Sequence, residues 1–141
     1  MINTPQTRKA MQIAFNAHKD QLDKSDVPYI FHPMYLAEQM DTEEECIVAL
    51  LHDVVEDSDM TFEQLEKEFS ANVISVLKLL THDKAVDYMD YVKEIKKNPI
   101  ATKVKISDLT HNSDLSRLNV ITEKDLKRKE KYQKALDLLK N

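Results

Sequence analysis

Residues 42–57 read Thr42-Glu43-Glu44-Glu45-Cys46-Ile47-Val48-Ala49-Leu50-Leu51-His52-Asp53-Val54-Val55-Glu56-Asp57, and this stretch decides the fold. Thr42 and Glu45 form a capping box, in which each side chain closes on the other's backbone N–H and starts a helix. Ile47, Val48, Leu50, Leu51, Val54 and Val55 leave almost no polar face, so the helix belongs at the centre of the molecule and runs to about Glu56. His52 and Asp53 sit in that apolar run. A buried carboxylate without a partner is costly, and a metal ion would supply the partner. Glu56 and Asp57 follow four residues after His52 and Asp53, one turn further along the same face of a continuous helix.

Helical signals also dominate on either side. Thr4-Pro5 opens a helix to about His18, with Met11, Ala14, Phe15 and His18 on one face. Pro33 begins a short helix through Met34, Leu36, Ala37 and Met40. Thr61 with Gln64 is a second capping box, ahead of Phe62, Leu65, Glu66 and Phe69. Ser70 caps a helix carrying Val73, Ile74, Val76, Leu77, Leu79 and Leu80. Residues 87–97 put Tyr88, Tyr91, Val92 and Ile95 on one side. After Asn98-Pro99 come Ile100, Val104, Ile106 and Leu109, and Thr122 caps a last helix with Leu126, Tyr132, Leu136 and Leu139 inward. No stretch keeps a period of two. The expectation is one all-α domain over residues 1–141, of about seven or eight helices.

Composition narrows the chemistry. The 141 residues include no glycine, where average usage would give roughly ten. Every glycine-based phosphate cradle is therefore excluded, and any phosphate must be held by side chains or a metal. The single cysteine, Cys46, cannot form an internal disulfide and reads as a buried thiol. No run is long and apolar enough for a membrane span or a signal peptide, so a cytoplasmic location is expected. A net charge of −5 argues against nucleic acid as partner. That charge is uneven: residues 41–68 are strongly acidic, whereas 93–105 and 123–141 are basic. Such blocks suit a metal site beside an anion site, or two solvated helix faces of opposite sign.

The chemistry-bearing residues are His32, His52, Asp53 and Asp108. Two imidazoles and two carboxylates form a mixed ligand set suited to Mn²⁺, Fe²⁺ or Zn²⁺. A carboxylate pair one turn away, Glu56 and Asp57, is what metal-assisted hydrolysis uses to orient or deprotonate a water. His111 and Asn112 share a helix face with Asp108, a polar contact and an amide beside the ligand. His18 reads as the polar end of an amphipathic face and His82 as a loop residue near a helix end, both outside the site.

Four stretches carry a resemblance: His18-Lys19-Asp20-Gln21, Pro28-Tyr29-Ile30-Phe31-His32-Pro33, Ala49 to Asp57, and Val104-Lys105-Ile106-Ser107-Asp108-Leu109-Thr110-His111-Asn112. They resemble the HD superfamily of metal-dependent phosphohydrolases, with its H…HD…D pattern. The nearer likeness is to the hydrolase domain of Rel/SpoT alarmone enzymes and to small stand-alone alarmone hydrolases. The resemblance spans roughly residues 10 to 120. It implies an HD-type helical bundle in which His32, His52, Asp53 and Asp108 bind one divalent metal, Mn²⁺ in that family. It makes Glu56 and Asp57 the pair that activates and holds the attacking water, and Lys24, Ser25 and Asn112 substrate contacts. The implied reaction removes the 3′-pyrophosphate of (p)ppGpp, leaving GDP or GTP. The chain has no room for the synthetase domain of the long Rel proteins.

This chain departs from the family near the nucleobase. The family arginine nine residues before the first ligand histidine is Asp23, and a carboxylate cannot stack as a guanidinium does. A family threonine seven residues after the last ligand is Leu115, and Asp26 stands where relatives commonly have glycine. Two other readings follow: an HD hydrolase of another nucleotide or phosphoester, and a catalytically silent nucleotide-binding HD domain. Oligomeric state is not legible.

Overall fold

Seven of the nine α-helices open on a side chain that accepts from the first turn, namely Thr4, Thr42, Thr61, Ser70, Asp87, Asn98 and Thr122. Each such cap is worth about 1 kcal/mol. The computed structural model describes residues 1–141 as α1 (Pro5–His18), α2 (Phe31–Glu38), α3 (Glu43–Leu51), α4 (Val54–Asp57), α5 (Phe62–Glu66), α6 (Ala71–Leu80), α7 (Tyr88–Lys96), α8 (Pro99–Asn112) and α9 (Glu123–Lys140). A 3₁₀ turn at Leu115–Arg117 links the last two. The only β pairing is an isolated bridge between Leu22 and Pro28. The fold is all-α, and no helix is long and apolar enough to cross a membrane.

Helix α3 is the axle. Cys46 through Leu51 are six consecutive buried residues, and α1, α2, α6 and α8 pack around them. A helix buried on every side must be apolar on every side, as this sequence is. Each of its large aliphatic side chains contributes about 1.5–3 kcal/mol on burial.

Four expectations are corrected. The helix over 42–56 breaks at His52 and Asp53, which separates α3 from α4. Helix α2 begins at Phe31, so His32 lies within it. Pro33 still sits in the first turn, where no N–H is needed. Phe15 is 56% exposed, because α1 buries Thr7, Ala10, Ala14 and His18 instead. Leu126 is 49% exposed, since the inward face of α9 runs through Asp125, Ala135, Leu136 and Leu139.

The loop between α1 and α2 turns without glycine. Asp26 has φ of 62°, the only positive φ in the chain, a conformation that aspartate tolerates better than most residues. Asp23 steadies the turn by accepting from the N–H of Ser25 at 2.8 Å and of Val27 at 3.0 Å. Two outcomes are expected in urea unfolding. Asp26→Gly holds or raises stability, whereas Asp26→Val, whose branched side chain resists this backbone, lowers it by about 1–2 kcal/mol. A valine variant as stable as the parent would contradict the assignment of strain to this residue.

Candidate metal centre

At the end of α3 the His52 ring folds back, and its Nδ1 donates to the Ala49 carbonyl at 2.7 Å. This satisfies a carbonyl that the ending helix leaves free. It also fixes the ring, so that Nε2 is the nitrogen pointing into the site. Asp53 then takes φ −107° and ψ 0°, the sparsely populated bridge region. The break turns both side chains towards α2 and α8.

Four elements converge there. His32 Nε2, on α2, lies 2.8 Å from Asp108 Oδ1, on α8, and His52 Nε2 lies 3.5 Å from the same oxygen. His52 Nε2 is 2.9 Å from Asp53 Oδ2. One ligand atom each of His32, His52 and Asp53 falls within 4.8 Å of the others. His52 Nε2 is buried and makes no well-directed hydrogen bond despite its carboxylate neighbours. An inward lone pair, a second imidazole and two carboxylates form a donor set that fits a divalent transition metal.

The electrostatics agree with the geometry. Burial opposes a charged His52, but Asp53 and Asp108 outweigh it and hold its pKa well above the ordinary value. Burial likewise opposes a charged Asp108. The Lys105 ammonium, followed by the hydrogen bond from His32 and the nearby His52 imidazole, holds that carboxyl well below its usual range. Two carboxylates therefore stay ionised in a dry site, and without a cation they favour a proton on His52. Around them, Asn112 Nδ2 donates to Asp108 Oδ1 at 3.0 Å and Lys105 Nζ to Asp108 Oδ2 at 3.2 Å. Tyr29 donates to Asp53 Oδ2. Burial and then Asp53 push the Tyr29 pKa far up, which keeps it a donor. His32 Nδ1 shares a hydrogen bond of 2.7 Å with His111 Nδ1. Burial, Arg117 and His32 hold His111 down to about 4, so it stays neutral.

The remaining expected residues divide. Glu56 lines a cavity with His52, Asp53 and Asp108, and its Oε1 accepts from the His82 backbone N–H at 2.9 Å. Asp57 keeps its N–H bond back to Asp53 but lines a groove with Gln21 and Ser58 instead. The two carboxylates thus line different surface depressions on either side of α4. Burial and Asp53 push the Asp57 carboxyl up. Lys24 and Asn112 line a second cavity of about 310 Å³ together with Asp23, Leu115, Arg128 and Tyr132. Lys24 is paired there with Asp125 at 2.8 Å. Ser25 does not line it: its hydroxyl donates to the Arg117 carbonyl at 2.8 Å and accepts from Asn119 N–H at 3.2 Å, holding the 3₁₀ turn.

Four contributors escaped the sequence reading as site residues. Tyr29 and Lys105 each stand three residues before a ligand, a spacing that puts Lys105 on the face of Asp108. His18, set aside as the polar end of a face, is 1% exposed. It donates from Nδ1 to Gln21 at 2.8 Å and packs 4.9 Å from the Tyr29 ring. His82 lies in the loop after α6, as expected, yet it lines the Glu56 cavity.

The arrangement has known counterparts. A family model described as HD domain matches residues 10–109. A Haemophilus influenzae protein named guanosine-3′,5′-bis(diphosphate) 3′-pyrophosphohydrolase is 34% identical over 115 residues, which cover 71% of this chain and 17% of that one. The chain thus spans only a small part of its long relatives. A Danio rerio protein of the same name, with the suffix MESH1, is 33% identical over 123 residues, covering 77% of this chain and 68% of that one. A solved structure superposes with a TM-score of 0.79 at 25% identity, over 100% of this chain and 89% of the other. It is reported as a metazoan ortholog of SpoT that hydrolyses ppGpp and plays a role in starvation responses. With its helices, its H…HD…D residues and the greater part of its length accounted for, the chain belongs to the HD domain family.

Proposed function

We propose that this chain is a manganese-dependent hydrolase that removes the 3′-pyrophosphate of (p)ppGpp. The observation that carries the proposal is the meeting of His32, His52, Asp53 and Asp108 between two cavities, one lined by Glu56 and the other by Lys24 and Asn112. The names of the Haemophilus and Danio relatives supply the substrate class. A divalent cation bound by the four side chains would acidify a water and take up phosphate charge.

The chain's own residues do the rest. One water is consumed: its oxygen bonds the phosphorus on the ribose 3′-oxygen, the bond from that phosphorus to the 3′-oxygen breaks, and diphosphate departs. Glu56, in the cavity of the ligands, is placed to orient the water and accept its proton. The 3′-oxygen leaves as the hydroxyl of GDP or GTP. Asp57 lies on the neighbouring groove, with Gln21 and Ser58. Lys24 and Asn112 hold the nucleoside side. Asn112 also steadies Asp108, and Tyr29 steadies Asp53.

A second reading keeps this chemistry and changes the nucleotide. Asp23 spends one oxygen on its own loop and sets the other 3.8 Å from Arg117, so no guanidinium projects from position 23 to cover a base. A panel of nucleoside phosphates separates the two: release of pyrophosphate from ppGpp at the highest kcat/KM is the expected result. Preference for another phosphoester would move the assignment to the second reading.

Asp108→Asn keeps the shape of the site and removes a charge. It is expected to lose the bound metal and at least about a hundredfold in turnover, read by elemental analysis and pyrophosphate release. Full metal content with full activity would contradict the ligand set. The pH dependence has a definite sign. In the metal-free chain His52 holds its proton above the ordinary pKa of about 6.5, so this stabilisation is complete below that pH and is lost as pH rises through the raised value. A cation replaces the proton. Manganese affinity should therefore rise with pH between about 6 and 8, with proton release on binding. Calorimetry in two buffers of different ionisation heat would read this, and a pH-independent affinity would contradict it.

A further inference from the structure

The candidate centre lines one cavity and borders a second, larger one through Tyr29 and Asn112, and only the larger has been given a ligand. The smaller, of about 170 Å³, lies between α6, α7, α8 and α9 and shares Tyr132 with its neighbour. One wall carries His52, Asp53, Glu56 and Asp108. The rest includes Tyr88, Lys105 and Lys131. The hydroxyl of Tyr88 is buried and meets no hydrogen-bond partner, and native structures leave few such groups unmatched. Burial holds this phenol up to about 12, so it remains a donor.

Two cations lie close by. Lys131 Nζ stands 4.0 Å over the Tyr88 ring. Lys105 Nζ stands 5.4 Å from the Tyr91 ring centre and 3.2 Å from Asp108 Oδ2, its side chain 14% exposed. An ammonium has three donors, and the contact with Asp108 uses one. The carboxylates on the first wall are the ones a metal would neutralise, and Glu56 already accepts from His82. Tyr88, Lys105 and Lys131 keep donors for the cavity, whereas Tyr91 spends its hydroxyl proton on the Leu80 carbonyl and His82 its Nε2–H on the Val86 carbonyl; Leu80, Val104 and Leu109 supply apolar surface. Phosphate oxygens, which are anionic acceptors only, complement this lining.

We propose that the smaller cavity receives the departing diphosphate, with the Tyr88 hydroxyl donating to it and Lys105 and Lys131 balancing its charge. The nucleoside then occupies the cavity of Lys24 and Asn112, and the scissile phosphorus sits between them at the four ligands. The inference rests on the hydrolase reading above and adds the residues that hold the diphosphate transferred to water. Hydrolysis is balanced as written there: the phosphorus–O3′ bond breaks, and the diphosphate carries the oxygen from water.

The test uses the full-length chain loaded with manganese. Inorganic pyrophosphate is titrated calorimetrically, with manganese matched in both solutions, and GDP is titrated separately as a probe of the larger cavity. Tyr88→Phe is expected to weaken pyrophosphate about tenfold and leave GDP unchanged. Lys131→Met, an exposed position that does not threaten folding, is expected to act in the same direction. Unchanged pyrophosphate affinity in both variants overturns the subsite, as does equal weakening of GDP. A wild-type chain that leaves ppGpp intact yet binds pyrophosphate through Tyr88 upholds the subsite and overturns the substrate assignment instead.

Discussion

The hydrogen bond from His52 Nδ1 to the Ala49 carbonyl is the contact on which the rest of the site depends. It ends the central helix, satisfies a carbonyl there and leaves Nε2 facing inward. Because α3 is buried on all sides, this geometry has little freedom to drift. Asp53 in the bridge region completes the turn. The helix that anchors the core thus also aims the first two candidate ligands.

The other two arrive from helices packed on α3. Helix α2 brings His32 and α8 brings Asp108, each held by neighbours: His111, Tyr35 stacked at 4.1 Å on His111, Lys105 and Asn112. Charge follows the same plan. Two ionised carboxylates persist in a buried place because imidazoles, an ammonium and a phenol surround them. A cation exchanging with the His52 proton would complete the balance. Phosphate recognition is then left to lysines and hydroxyls on both sides, consistent with a chain that has no glycine to wrap around an anion.

Much of this was legible in the sequence, for physical reasons. Capping boxes at Thr42, Thr61 and the cap at Thr122 are local interactions, and they start helices where expected. The apolar run Ile47–Leu51 could only be central. What escaped depended on tertiary contacts. The break at His52 arises from a side chain competing for its own helix's carbonyl, which periodicity does not register. Ser25 matches a motif position, yet its hydroxyl is spent on the 3₁₀ turn at Arg117, an element with no pattern in the sequence. Tyr88 reads as one apolar residue on a helix face, and only packing leaves its hydroxyl buried without a partner.

The central claim is that His32, His52, Asp53 and Asp108 hold one metal ion. Anomalous diffraction from crystals grown with manganese, recorded on either side of the manganese absorption edge, tests it most directly. The account predicts one strong peak per chain, within coordination distance of His32 Nε2, His52 Nε2 and a carboxylate oxygen of each aspartate. No peak among these four side chains, or a peak held by other residues, would contradict it.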